Sequence, residues 1–583
     1  MNIKPIIVKS YLESLTEERE LNRIFPMLLT SLGFEILTKP TENKGLPEYG
    51  KDIVAVGKDN DGIKKRFYFE LKGGNDRDIN SVVLTKNDGI MMSLREAKYA
   101  DFETTYKDFN TLLQKVVLVH NGELKANARK TFTGFISKEF PTNGGIEFDR
   151  WDIERLSLEF SNHLFGAYLL TDQNTTKLFN KVLINLNASN HISEDFIKLL
   201  DDLFSKNEWQ GWNKKKREWI LLFETLKLIS FIIYTEAKDY NNLDIAKRYL
   251  THLILKYWHW ILKNKLENDK KIIAHFNNLL TFYLSILTEY FKRTLPLAKI
   301  QNGLSYENSG RYEQIGYTKR TFEYLEYLTF LLNIDFENPN VNKNTVKEIL
   351  TSVINANSVS FRPLVDINSI PIVDILNLYL LLDDKQSAIN YLKSVLSYIV
   401  NGKEKYGRLP DANNSYENVI RFTITGEKPV YYSDSTSPLL AVLLEYIAIL
   451  DLEQEYNDIR KFVIDNKIDL GIFTPHHGIN STSTHLIENI EDDLEEQLFS
   501  NPRLNDGYQR DIKLFINLHE EMNFEAFKLD FQKRIEEFQY EYRTDKAGYY
   551  FLKNLAHIYF QIPYFPDKWR SSKLLKKTEN ANI

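Results

Sequence analysis

Two periodicities divide this chain of 583 residues. Up to about residue 165, short apolar or alternating stretches bounded by glycine-containing turns are interleaved with helix-length patterns. Beyond that point nearly every apolar pattern recurs at the three- and four-residue spacing of a helix. A strand buries its apolar face only in a sheet covered by another layer, so the interleaving specifies an α/β domain with a mixed central sheet flanked by helices. The remainder specifies a large all-α array. The expected division is 1–165 for the α/β domain, 166–400 for a helical domain and 401–583 for its continuation.

Within the first part, Leu15 to Leu32 carries Leu21, Ile24, Phe25, Leu28, Leu29 and Leu32 at helical spacing and stops at Gly33. "FEIL", "DIVAV" and "KRFYFELK" follow as strands, the last two joined by the turn-forming "GKDNDG". A helix is expected over Asp101 to Lys115, then the buried strand "VVLVH" and a helix from "NGELKANARKTF". "GFIS" and "IEFDRWDIERLSLEF" supply a last strand and a closing helix. The second part holds strong helical patterns such as Glu218 to Thr235, Lys270 to Leu295 and Leu439 to Leu450, with no clean repeat period. Asn401 to Ser437 reads as a long polar connection, a candidate ligand or partner loop.

Composition narrows the chemistry. A formal net charge of -6 lacks the global basic excess of a polybasic nucleic-acid binder, so any such contact must be a local patch. With no cysteine, metal and acid-base work falls to carboxylates and histidines. The N-terminal stretch offers no signal-peptide core, and the most apolar runs are short or interrupted by Glu224, Lys227 and Glu445. The expected location is cytoplasmic, away from membranes. No phosphate-binding P-loop, dinucleotide fingerprint or G-x-S-x-G elbow occurs.

The chemistry concentrates in "YFELKGG", residues 68–74. Strand parity puts Phe67, Phe69 and Leu71 on one face and Arg66, Tyr68, Glu70 and Lys72 on the other. A hairpin centred near Asn60 brings Asp52 almost opposite Tyr68, on the same face as Glu70 and Lys72. Two carboxylates and a lysine suit phosphodiester hydrolysis. Mg²⁺ is held by one or two carboxylates together with water and phosphate oxygens, and Lys72 can orient or deprotonate water or hold the phosphate. Gly73 and Gly74 would let a phosphate backbone approach closely. The alternative is an edge hairpin whose solvated face carries Glu70 and Lys72 as an ion pair.

"GKDIVAV" followed by "YFELK" resembles the PD-(D/E)xK nuclease superfamily of restriction-endonuclease-like folds, without a proline directly before Asp52, the nearest being Pro47. "ELNRIFPMLLTSLGFEI" is similar to the leading helix and first strand of Mrr-like restriction endonucleases. The resemblance runs from Glu13 to Phe160. It implies a metal-dependent endonuclease with Asp52, Glu70, Lys72 and the helical acid Glu20 in catalysis, Glu17 being the second choice for that acid. Mg²⁺, with Mn²⁺ as a substitute, would be bound by Asp52, Glu70 and the Leu71 carbonyl. The implied substrate is DNA and the implied setting bacterial restriction or anti-phage defence. The protein would act as a homodimer or higher oligomer, with a protein or ligand trigger read by the helical region. RNA or branched or modified DNA as substrate, and a silent nuclease-like binding module, are the alternatives.

Further basic groups are candidate phosphate contacts: Lys64, Lys65 and Arg66 at the hairpin, and Lys125, Arg129 and Lys130 at a helix start. His120 reads as a structural histidine, and His476, His477 and His485 as loop residues. "YWHWIL" reads as core. The tail "FPDKWRSSKLLKK" reads as a frayed terminus.

Overall fold

The computed structural model describes residues 4–38, 50–188, 191–206, 209–306, 313–474, 495–500, 512–535 and 542–570. The chain forms two compact units, 1–250 and 251–583. His476, His477 and His485, and Lys573, Lys576 and Lys577 of the tail, lie outside the described residues. Among the described residues no helix is long and apolar enough to cross a membrane.

The first unit is built on a five-stranded mixed sheet of β1 (Glu35–Thr38), β2 (Ile53–Lys58), β3 (Lys64–Lys72), β4 (Leu113–His120) and β5 (Ile146–Trp151), in that spatial order. β1, β2 and β3 form an antiparallel meander, and β4 and β5 add in parallel. β3 is therefore the central strand, which removes the edge-hairpin alternative. The odd face of β3 packs Phe67 and Phe69 edge-on against Phe34, Phe25 and Trp151. Phe25 belongs to α2 (Asn22–Ser31), whose stripe of Ile24, Phe25, Leu28 and Leu29 is buried. The even face buries Val54, Val56, Tyr68, Val116 and Leu118 under α3 (Ser81–Thr85), α4 (Ile90–Tyr99) and α5 (Ala126–Glu139).

Several boundaries differ from the expectation. The leading helix expected over Leu15 to Leu32 starts as one π-helical turn at Glu17–Leu21 and continues as α2, and a separate helix, α1 (Lys4–Glu13), precedes it. Pro26 lacks the N–H that would bond the Asn22 carbonyl, and the turn before α2 has the wider π geometry. The helix expected over Asp101 to Lys115 falls earlier, at α4. Phe102, Tyr106 and Phe109 carry helix-like spacing, but they fold as a loop onto the even-face core. "GFIS" lies inside α5 rather than in a strand. After α6 (Ile153–His163), the unit continues with α7 (Gln173–Ile184), α8 (Glu194–Ser205) and α9 (Trp212–Asp239).

The second unit is mainly helical, with long helices at Lys270–Ala298 and Glu313–Glu337 and one antiparallel strand pair, Gly471–Thr474 with Ile512–Phe515, that helical periodicity does not announce. Tyr257, Trp258 and Trp260 of "YWHWIL" are buried. The stretch from Asn401 to Ser437 is not one long loop. A helix runs to Tyr406, where left-handed Gly407 ends it, and Tyr416–Thr425 forms another, capped by the Ser415 side chain and ended by left-handed Gly426. The tail is docked as far as Arg570. Trp569 and Arg570 are buried, and both donate hydrogen bonds to the fully buried Glu445 carboxylate.

Candidate active site

The β2–β3 turn, closed by the Asp59 amide donating to the Ile63 carbonyl, centres on Asp61 rather than Asn60. The pairing Ile53↔Phe69 consequently sets Asp52 beside Glu70, two residues further along β3 than Tyr68. Parity is unchanged by a two-residue shift, so Asp52, Glu70 and Lys72 still share the even face. The Leu71 amide, at the position whose carbonyl was expected to bind metal, donates to Asp52 Oδ2 at 2.6 Å. Lys72 Nζ stands 2.7 Å from Glu70 Oε1.

The fourth member is Glu17. The π turn directs its carboxylate to β3, with Oε1 3.7 Å from Lys72 Nζ and Oε2 accepting from the Gly73 amide at 3.0 Å. Glu20 points elsewhere. It accepts from the Thr16 amide at 2.6 Å and lies 2.5 Å from Arg217 of α9, closing the turn that presents Glu17. Glu17→Gln is expected to lower turnover about 10- to 100-fold, as loss of a supporting carboxylate does, with little change in thermal midpoint. Glu20→Gln should lower the midpoint first. A larger catalytic loss from Glu20→Gln would reverse the assignment.

Gly73 answers to the same turn. A Cβ there would lie 2.8 Å from the Glu17 backbone nitrogen, so the space the sequence suggested for a phosphate at this position is filled by the chain itself. Gly73→Ala is expected to destabilise the first unit by about 1–3 kcal/mol, the usual cost of overpacking, read as a shift in the denaturant midpoint. Gly74 takes a left-handed φ of +60°, and its amide donates to the Leu15 carbonyl.

Among the described residues the site is short of positive charge. Asp52 and Glu70 are 8% and 3% exposed. Burial, then the charge of Glu70, raises the Asp52 pKa well above the aspartate range. Burial likewise raises Glu17. Burial alone would lower Lys72, but Glu70, Glu17 and Asp52 outweigh it and raise its pKa, so it holds its proton. Three carboxylates thus share one ammonium. Among the described residues no three carboxylates or imidazoles form a complete protein cage for a cation. A buried pair of hard oxygen donors that shares a single described ammonium with a third carboxylate fits a Mg²⁺ ion that completes its shell with solvent and phosphate oxygens.

The other expected contacts separate. Lys64, Lys65 and Arg66 begin β3, and at ~3.3 Å per residue Arg66 is roughly 20 Å from Lys72. Lys65 is buried among Asp59, Asp61 and Glu147, and Arg66 donates to Asn110 and Gln114. That cluster stabilises the hairpin and is not at the site. Lys125, Arg129 and Lys130 stand at the start of α5, past the same end of the sheet as Lys72; Lys125 is paired with Asp78 and Glu123. His120 is fully buried beside Lys72 in register and bonded to the Arg77 carbonyl, and burial lowers its pKa to about 4.

A cleft of about 830 Å³ opens beside the patch, lined on one side by Glu17, Gly73 and Gly74 and on the other by Lys214 to Arg217 of α9. These cations were not foreseen, although "NKKKREW" is a conspicuous basic run. No protein-family model, curated protein or solved structure matches this chain.

Proposed function

We propose that the chain is a metal-dependent nuclease with a restriction-endonuclease-like first domain, acting on DNA. The observation that carries the reading is the meeting, on the central hairpin, of Asp52, Glu70 and Lys72 with a helical acid, Glu17, under a deficit of positive charge. The antiparallel meander continued by two parallel strands supports it.

Asp52, Glu70 and the Leu71 carbonyl would hold Mg²⁺ or Mn²⁺, which when bound supplies positive charge against the phosphate oxygens and acidifies water. Lys72, protonated, is a point charge for the non-bridging oxygens of the scissile phosphate. Glu17 orients Lys72 by sharing its proton-bearing head with Glu70, and the Glu20–Arg217 pair fixes the turn that carries Glu17. The second unit, in this reading, senses a trigger that raises a basal activity, in a restriction or anti-phage role.

The test is incubation of the full chain with plasmid, linear single-stranded DNA and RNA in Mg²⁺, Mn²⁺ or EDTA. Cleavage of DNA that EDTA stops is the expected result. Survival of all three substrates with both metals would overturn the reading; cleavage of RNA alone would replace DNA as its substrate.

A further inference from the structure

The basic run on α9 is held in place by aromatic packing. Trp209 packs on the buried Trp219 at 4.7 Å, and Trp212 lies 6.4 Å from Phe223. Lys215 departs from helical geometry, at φ -139°, so the first turn of α9 is kinked. Within the run, Arg217 is engaged by Glu20 and Lys215 by Glu218. Lys214 and Lys216 are exposed, line the cleft, and have no acidic partner among the described residues.

The two walls of the cleft therefore differ in sign. The wall next to the end of β3 carries Glu17, Glu18, Glu20 and Asp76, whereas the α9 wall carries Lys214 to Arg217 with Glu218, and on it Lys214 and Lys216 are the uncommitted charges; Asp172 completes the acidic lining. A chain of phosphates is repelled by the first wall and attracted by the two free lysines of the second, and the cleft adjoins the catalytic patch through Glu17 and Gly73. The placing of the cations then selects among phosphate chains. The cleft, of about 830 Å³, carries its uncommitted cations on one wall only, which suits a single row of phosphates, whereas a B-form duplex presents phosphates on both rims of its grooves.

We infer that Lys214 and Lys216 form a phosphate track for one nucleic-acid strand, so that the substrate enters the cleft single-stranded, as an end, a flap or an unpaired stretch. This rests on the nuclease reading of the adjoining patch and adds a binding wall outside the α/β sheet. Positive tracks of this kind bind single strands with strong salt dependence and little sequence preference.

The test measures binding in EDTA, where cleavage does not intervene. A short fluorescein-labelled oligothymidylate and a duplex of equal length are titrated into full-length wild type and the double variant Lys214→Gln, Lys216→Gln across a salt series. For the single strand, the variant should bind about tenfold more weakly, with the log K against log salt slope reduced by about 1.4, or ~0.7 per lost phosphate contact. The duplex should bind wild type more weakly than the single strand. An unchanged slope in the variant, or a duplex bound as tightly as the single strand, overturns the inference. Wild type is assayed separately with Mg²⁺ on bis(p-nitrophenyl) phosphate, a diester too small to need the track. Hydrolysis there alongside an unchanged slope sinks the track and leaves the nuclease; a reduced slope without hydrolysis of this or any nucleic-acid substrate keeps a strand-binding wall and removes the nuclease.

Discussion

Lys72→Ala is expected to reduce metal-dependent cleavage by about three orders of magnitude, within the ~10²–10⁴ range for loss of a positioned acid, base or electrostatic group. The reason is local. Among the described residues Lys72 is the one ammonium beside Asp52, Glu70 and Glu17, so its removal takes away the cation proposed to face the phosphate and leaves these acids without their described counter-charge. That second consequence separates a catalytic from a merely structural lysine. Lys72→Arg keeps the charge but replaces a compact head by a planar fork, so it should restore stability more fully than activity. Cleavage rates, with thermal midpoints for wild type and both variants, check this. If Lys72→Ala cuts at the wild-type rate, the catalytic assignment is wrong. If Lys72→Arg restores activity as fully as stability, the site requires a positive charge there and not the compact lysine head.

What the sequence made legible at this site follows from strand geometry. Side chains alternate with period two, so the shared face of Asp52, Glu70 and Lys72 could be read from spacing alone and survived a hairpin centre displaced from Asn60 to Asp61. A displacement of one residue in the turn moves the pairing by two, which preserves the face. The helical acid was harder. The family resemblance puts Glu20 first and Glu17 second, as positions on an uninterrupted helix. The π turn adds a residue to the helical circuit, rotates Glu17 toward Lys72 and sends Glu20 to Arg217, and nothing in a periodicity count registers that insertion.

The basic residues illustrate the opposite failure. Lys64, Lys65 and Arg66 are near Glu70 in sequence but distant along an extended strand, whereas Lys214 and Lys216 are remote in sequence and border the cleft, because a helix beyond the α/β elements returns to it. Charge runs are visible in any sequence; their sheet end is not. The loop at 101–112 erred for a related reason. Apolar residues spaced for a helix can also be packed singly by a loop that lies along a core, as buried Phe109 and half-buried Phe102 and Tyr106 are.

Asp52→Asn should abolish cleavage and yet stabilise the protein in EDTA at neutral pH. Burial and the neighbouring Glu70 raise the folded-state pKa of Asp52, while in the unfolded chain it releases its proton at the ordinary ~3.9. Between those two values the folded state binds more protons than the unfolded state, so stability falls as pH rises through that window, and the cost is complete above the folded pKa. Asparagine keeps an oxygen able to accept from the Leu71 amide and carries no charge, so the decline vanishes. The thermal midpoint of Asp52→Asn should match wild type near pH 4 and exceed it increasingly toward neutrality, by at least ~2 °C, corresponding to about 1 kcal/mol. Mg²⁺ reverses the order. A ligand that binds only the folded state adds RT ln(1 + [L]/Kd), so millimolar Mg²⁺ should raise the wild-type midpoint and leave Asp52→Asn nearly unmoved. Differential scanning calorimetry from pH 4 to 8, with EDTA or Mg²⁺, reads both effects. A variant no more stable than wild type at pH 7 in EDTA, or one stabilised equally by Mg²⁺, would show that the buried carboxylate is not held at a cost to stability for the sake of a divalent cation.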